Sequence, residues 1–283
     1  MLCYLILAHE YGIQERALIQ RLQKTGEVLV HLDAKYKGDL PPECIETRIA
    51  CKWGRYSLVE AELFLFKQAL KLGASQMILL CGKSYPLIGD SQLVEKFAGP
   101  RDYISSWCLR ENPWDLVWRL HGRFYPDETI LQGRRRGRAW LFHKLSNFLP
   151  VPKVVGSIPL KFGGQFVGLS RTTAQFVVDY AESNPWLQKA FREVHAPDEI
   201  FIQSLAALAG GEQGGPFPRW RWQVIGKKQA PHLADCLHPK KHPLHLCADV
   251  QQLQTAMEHG SLFPFGRKFA DGDQDLRDIS DNL

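Results

Sequence analysis

The chain has no Cys-x-x-Cys pair and no cysteine–histidine spacing of the kind that holds zinc, although seven of its 283 residues are cysteine. An odd number scattered at positions 3, 44, 51, 81, 108, 236 and 247 makes no disulfide framework. Several lie in apolar runs, such as Ile78–Cys81, and read as reduced core thiols. The expected home is therefore the reducing cytoplasm. No Asn-x-Ser/Thr glycosylation acceptor occurs. No apolar run reaches membrane-spanning length: Met1–Ala8 is apolar but short and lacks a basic flank, so it reads as a first strand. A transmembrane segment is not expected, while peripheral contact with a membrane surface stays compatible. Internal repeats and a clean linker are also missing, which favours one domain over residues 1–283.

What is present is ordinary in amount and specific in order. Hydrophobic residues make up 45% and charged residues 23%, enough for a normal core. The net charge of +5 suits an anionic small ligand as well as a nucleic acid. Strand-like runs at 3–8, 28–32 and 76–81 alternate with helical patterns. Residues 13–24 carry Ile13, Ala17, Leu18 and Leu22 at helical spacing. Residues 57–72 place Leu58, Ala61, Leu65, Ala69 and Leu72 on one face. Ser57 is the expected N-cap there, with Glu60 completing a capping box. This β-α-β alternation predicts an α/β fold with a mainly parallel sheet, and such sheets bind ligands at the carboxyl ends of their strands. Those ends read Ala8-His9-Glu10, His31-Leu32-Asp33 and Cys81-Gly82-Lys83-Ser84-Tyr85.

The middle, about 110–157, is less regular and holds Trp114, Trp118, Trp140 and the basic run Arg134–Arg138, read as a solvated loop. A strand is expected over 162–169, followed by a helix capped by Ser170 and running to about Ser183. Pro197-Asp198-Glu199 then reads as the first turn of a helix: proline fits N1, acids favour the positive end, and the apolar run from Ile200 buries one face. A carboxylate held there is well placed as a general base. The stretch Asp271–Asp281 reads as a solvated acidic tail.

Seven segments in this order resemble one family. They are Tyr4–His9, Val30–Asp33, Trp53-Gly54 with Ser57–Leu63, Leu79–Pro86, Gly163–Arg171, Pro197–Glu199 and Phe265–Phe269. The family is the core-2/I-branching β-1,6-N-acetylglucosaminyltransferases, which includes the peptide O-xylosyltransferases. Without a membrane anchor or paired cysteines, the chain looks like a bacterial-type member. The resemblance implies a GT-A-type, Rossmann-like fold with a C-terminal extension packing over the site. It divides the domain into a nucleotide-binding half, 1–110, and an acceptor and catalytic half, 155–283. It implies inverting transfer of N-acetylglucosamine or xylose from a UDP-sugar to a hydroxyl on a glycan or other acceptor. No cofactor and no divalent metal are expected: Cys81–Tyr85 holds no carboxylate where other GT-A enzymes place an Asp-x-Asp motif. A literal Asp-x-Asp, Asp271-Gly272-Asp273, falls in the acidic tail.

By position in the family, Glu199 is the base, His9 and Asp33 lie near the uridine, and Lys268 holds the diphosphate. Lys240, Lys241 and His242 compete for a second diphosphate contact, with Lys241 preferred. Trp222 is the acceptor-cleft aromatic, and Val224 stands where the family has tyrosine, which leaves the acceptor open. Gly82 is expected to let backbone approach the donor. Gly163 and Gly164 are expected to leave room for the sugar. His31 and Trp53 are read as structural. The competing reading is a basic glycan- or polyanion-binding protein without catalysis, resting on the Arg134–Arg138 run and the Trp/Arg interleaving at 219–222. It leaves the ordered strand ends and Glu199 without a role, so no nucleic-acid partner is expected.

Overall fold

The computed structural model describes residues 1–104, 106–108, 119–120, 157–210 and 264–282. At its centre is a four-stranded sheet in the order β2-β1-β3-β7. β1 (Leu2–Ala8) runs parallel to β2 (Glu27–Leu32) on one side and to β3 (Gln76–Cys81) on the other. β7 (Gly168–Ser170) closes the edge antiparallel to β3, with Gln76 opposite Ser170. The sheet is thus mixed but mainly parallel, as the alternation of apolar runs and helical periods requires.

The strand parity divides the core in two. Successive side chains of a strand point to opposite faces. Cys3, Leu5, Met77 and Leu79 pack on one side with α2 (Ser57–Lys71), α4 (Arg171–Ser183) and α6 (Phe201–Leu208). Tyr4, Ile6, Ile78 and Leu80 pack on the other with α1 (Ile13–Gln23) and Leu93 of α3 (Asp90–Lys96). Burial on both faces explains why these strands read as continuous apolar runs. On the first side the ring of Phe201 meets Tyr56 edge-on at 5.6 Å and Phe191, the last residue of α5 (Pro185–Phe191), at 4.9 Å.

Several local expectations are corrected. Ser57 is the first residue of α2, not its N-cap; Tyr56 takes that position and makes no side-chain cap. The Ser57 hydroxyl instead accepts from the Lys52 N–H at 2.8 Å, and the Glu60 carboxylate pairs with Arg192. A loop N–H five residues back and a distant arginine have taken the two halves of the capping box. Leu72, the C-cap, is exposed, and Glu62 occupies the buried face in its stead. The strand expected over 162–169 is two strands: β6 (Lys161–Gly163) pairs antiparallel with β5 (Ser106–Cys108), and β7 belongs to the central sheet. Ser170 does cap α4, accepting from the Thr173 N–H at 3.4 Å.

The C-terminal segment is the largest correction. It is no solvated tail. β8 (Phe265–Arg267) pairs antiparallel with β4 (Ser84–Pro86), and α7 (Gln274–Asp281) follows. Arg277 is fully buried and donates to the Gln14 side chain, to the Ala270 and Asp271 carbonyls and to the Gln274 side chain. Asp271 accepts from the Gln14 N–H at 2.9 Å, and Asp281 from Arg21 at 2.9 Å and the Tyr85 hydroxyl at 3.0 Å. The acids that looked like solvated ends are clasps on α1 and β4. Sequence alone does not reveal this, because their partners lie some two hundred residues away. Among the described residues no helix is long and apolar enough to cross a membrane.

Candidate functional site

The carboxyl ends of the three parallel strands lie side by side. The Asp33 N–H donates to the Ala8 carbonyl at 2.9 Å, and the Gly82 N–H to the Leu7 carbonyl at 2.9 Å. His9 follows β1 with its ring largely exposed, 3.6 Å from Glu10. Lys83 follows β3, its ammonium 2.6 Å from Glu10 and 3.0 Å from Glu15. Burial works against the lysine's charge, but hydrogen bonds to both carboxylates outweigh it, and its pKa moves up. A Cβ on Gly82 would stand 2.9 Å from the Glu15 Cγ and 3.2 Å from the Ala8 Cβ. The glycine is thus required by close packing against α1.

Asp33 is buried, and both its oxygens are engaged. One accepts from the Lys35 N–H at 2.8 Å, closing an Asx turn; the other accepts from the Cys51 N–H at 3.2 Å. His31 packs in the strand as expected, its Nε2 accepting from the Ile49 N–H, and burial lowers its pKa.

β8 delivers Lys268 to this same edge. Arg267 lies opposite Ser84 in the β4–β8 ladder, and the Phe269 N–H donates to the Lys83 carbonyl at 2.9 Å. Lys268 therefore sits between two residues fixed to the Lys83–Ser84 backbone. Arg267 lies over the Phe166 ring at 4.9 Å.

A second group of residues surrounds Glu199. Pro197–Glu199 form a single 3-10 turn, and α6 starts only at Phe201. The helix-dipole reason for placing acids there does not apply to a three-residue turn. What fixes Glu199 is tertiary. Its carboxylate pairs with Arg119, whose guanidinium lies over the Phe162 ring at 4.6 Å. The Arg119 carbonyl accepts from the His195 N–H at 2.7 Å. Ala196, in the left-handed region at φ 48°, donates its N–H to the Gly54 carbonyl at 2.9 Å. Glu199 keeps 34% of its side chain exposed, whereas Asp198 beside it is buried.

Titration separates the members of this turn. Burial, then the neighbouring Glu199 charge, raise the Asp198 carboxyl well above its ordinary value. Burial, helped by Arg119 and Arg55, lowers His195 to about 4, so its ring is neutral at physiological pH. Glu62, on α2, is fully buried and pushed well up by burial and by Asp198.

One loop joins the two groups. Cys51 donates to Asp33 at the end of β2, and three residues later Gly54 accepts from Ala196 before the turn. Gly54 has φ 66°, a conformation suited to glycine, and a Cβ there would stand 3.4 Å from the His195 ring. Trp53, read as structural, is 64% exposed and meets the His195 ring edge-on at 6.1 Å. The signal for this loop was the pair Trp53-Gly54; Arg119 carried no signal, and Glu62 falls within the Ser57–Leu63 segment without being singled out.

The structure thus brings His9, Asp33, Gly82 and Lys268 to one edge and ties Glu199 to it through a shared loop. Trp222, Lys240, Lys241, His242 and Val224, with the basic run 134–138, lie outside the described residues. Cys3, Cys44, Cys51 and Cys81 are free thiols. Among the described residues no group of three or more His, Cys, Asp or Glu side chains could hold a metal ion. A model of the Core-2/I-branching enzyme family matches residues 4–217. No curated protein matches the chain.

Proposed function

The chain belongs to the Core-2/I-branching enzyme family and is on that account a glycosyltransferase; from this premise we propose that it carries out inverting, metal-independent transfer from a UDP-sugar to an acceptor hydroxyl. Glu199 is the base. The observation that carries this reading is that Glu199 alone of its turn is both partly exposed and held by a cation, while its neighbour Asp198 is buried. Such a carboxylate is oriented and reachable by an acceptor, as proton removal requires. Attack then proceeds on the face of the sugar opposite the departing diphosphate, with oxocarbenium character at the anomeric carbon.

The leaving diphosphate needs compensating charge at the strand ends. Lys268, fixed beside the Lys83–Ser84 backbone, supplies one donor, and Lys241 is the preferred second. The chemistry of the edge favours lysine over metal in this role. The segment after β3 holds no carboxylate of its own, and Glu10 and Glu15 beside it are both engaged by the Lys83 ammonium. Asp33 serves the uridine end through the loop that it orders, with His9 exposed beside it. Trp222 packs against the acceptor sugar. The donor is UDP-N-acetylglucosamine or UDP-xylose, and the acceptor is a glycan or other hydroxyl compound. The enzyme works in the cytoplasm.

The test is donor hydrolysis and transfer measured over a panel of UDP-sugars, with excess chelator present throughout. Turnover of one donor, abolished by Glu199→Gln, is the expected result. Turnover that survives Glu199→Gln unchanged removes the base assignment, and turnover that appears only after a divalent cation is restored removes metal independence.

A further inference from the structure

One buried amide at the strand-end edge has no part in the proposed reaction. Gln14, in the first turn of α1, is completely buried. Its Nε2 donates to the Ser84 carbonyl at 3.0 Å and to the Gly82 carbonyl at 3.3 Å, the two carbonyls that flank Lys83. Its Oε1 accepts from the fully buried Arg277 of α7 at 3.0 Å. Its backbone N–H donates to Asp271, in the turn between β8 and α7, at 2.9 Å. A single residue thus ties the β3–β4 turn to the segment that carries Lys268.

The chemistry of this bridge admits few side chains. A carbonyl only accepts and a guanidinium only donates, so whatever stands between them must donate on one side and accept on the other. An amide does both. A carboxylate keeps the acceptor for Arg277 and offers nothing to the two carbonyls, and leucine offers nothing to either side. The same rule orients the Gln14 amide, oxygen toward Arg277 and nitrogen toward the turn.

The contacts close a circuit around Lys268. The Lys83 carbonyl, between the two that Gln14 holds, accepts from the Phe269 N–H at 2.9 Å, and Arg267 lies opposite Ser84 in the β4–β8 ladder. All three carbonyls of Gly82–Ser84 are therefore engaged, two by Gln14 and one by the C-terminal segment. At the far side Arg277 donates to the Ala270 and Asp271 carbonyls, which follow Phe269 directly. A shift of the segment against the turn would leave buried polar groups without partners, which is unfavourable.

We propose that Gln14 is a positioning residue for the diphosphate end of the donor site: by holding the β3–β4 turn and Arg277 in register, it sets where Lys268 stands. This rests on Lys268 meeting the diphosphate. Gln14 is fully buried and acts only through the segment that it anchors. Its effect therefore reaches the donor through Lys268, and only where the donor carries phosphate.

The experiment is a double-mutant cycle on the full chain, read by calorimetry with UDP and by NMR titration with uridine. Gln14→Leu should weaken UDP binding about tenfold, part of what a charge-assisted hydrogen bond contributes, and leave uridine affinity unchanged. In a Lys268→Ala background the same substitution should weaken UDP binding no further. A merely structural role would lower affinity whether or not Lys268 is present. Equal losses in both backgrounds, a matching loss for uridine, or unchanged UDP affinity in Gln14→Leu therefore each overturn the proposal. Arg277→Lys keeps the charge without the fork, and should reproduce the Gln14→Leu loss without adding to it. Should Gln14→Leu fail to fold, Arg277→Lys decides the cycle on the same terms. Lys268→Ala that binds UDP as tightly as wild type rejects Lys268 as the diphosphate donor, and the positioning role with it. Lys268→Ala that weakens UDP binding, with Gln14→Leu adding its loss in both backgrounds, rejects the positioning role alone and leaves the proposed function standing.

Discussion

At the strand-end edge, Lys83 lies between Glu10 and Glu15, Asp33 gives both oxygens to backbone N–H groups, and Arg277 spends its donors on four acceptors. Around the Pro197–Glu199 turn, Glu199 pairs with Arg119, while Asp198 beside it and Glu62 on the packed helix α2 are buried, each with one oxygen that has no donor among the described residues. The first region is balanced in its hydrogen bonds, an arrangement suited to receiving a charged ligand without rearranging. The second is unbalanced, and an unbalanced cluster is what moves protons and shifts pKa values. Both are anchored to one loop, so neither can be altered freely without the other noticing.

Removing the reactive charge is the hardest blow to this contrast. Glu199→Gln should lower kcat by about 10²–10⁴-fold while donor binding persists, as measured by steady-state kinetics beside calorimetry with UDP. Substitution on the balanced side should behave differently. Lys268→Ala should weaken UDP binding and slow transfer together, a loss of about 2–4 kcal/mol in transition-state stabilisation. An unchanged UDP affinity in that variant would take the C-terminal segment out of the site.

Arg277→Met tests whether the edge is rigid because of the clasp. It leaves the buried Gln14 oxygen and three part-buried acceptors without their donor, and should cost about 1–3 kcal/mol of folding stability by denaturant titration. UDP affinity should fall with it, since β8 and Lys268 are carried on the same segment. The loop that joins the regions gives the smallest stability effect. Gly54→Ala forces a side chain into the left-handed region at φ 66°, about 1–2 kcal/mol. It should reduce kcat more than it reduces UDP affinity, because the strain falls on the Ala196 contact rather than on Asp33. Excess chelator should leave transfer unchanged; a collapse restored by divalent cation would reopen Glu10 and Glu15 as ligands.

The sequence was readable where physics is local. β3 runs over Gln76–Cys81 as expected, β1 and β2 differ from expectation by a residue, and the Ser170 cap of α4 stands. Each follows from apolar runs buried on both faces or from a side chain reaching its own turn. The capping box at Ser57 and Glu60 failed because Lys52 and Arg192 offered those groups other partners. The acidic tail was misread for the same reason on a larger scale: Asp271 and Asp281 meet partners on α1. Charge on a sequence says nothing of whether its counter-charge is water or a distant arginine.

The candidate site divides along the same line. Glu199, His9, Asp33 and Lys268 were legible as residues of a recognisable order, and the α/β architecture that collects strand ends at one edge followed from alternation alone. Which of two adjacent acids faces outward was not legible. The pattern Pro197-Asp198-Glu199 treats both as first-turn carboxylates; only the packing of α2 and α6 against the turn buries Asp198 and leaves Glu199 on Arg119. Sequence determined the elements and their order, because periodicity and capping are short-range. Tertiary structure decided which charges are paired, buried or free, because a residue's electrostatic environment is set by chain segments arbitrarily far away.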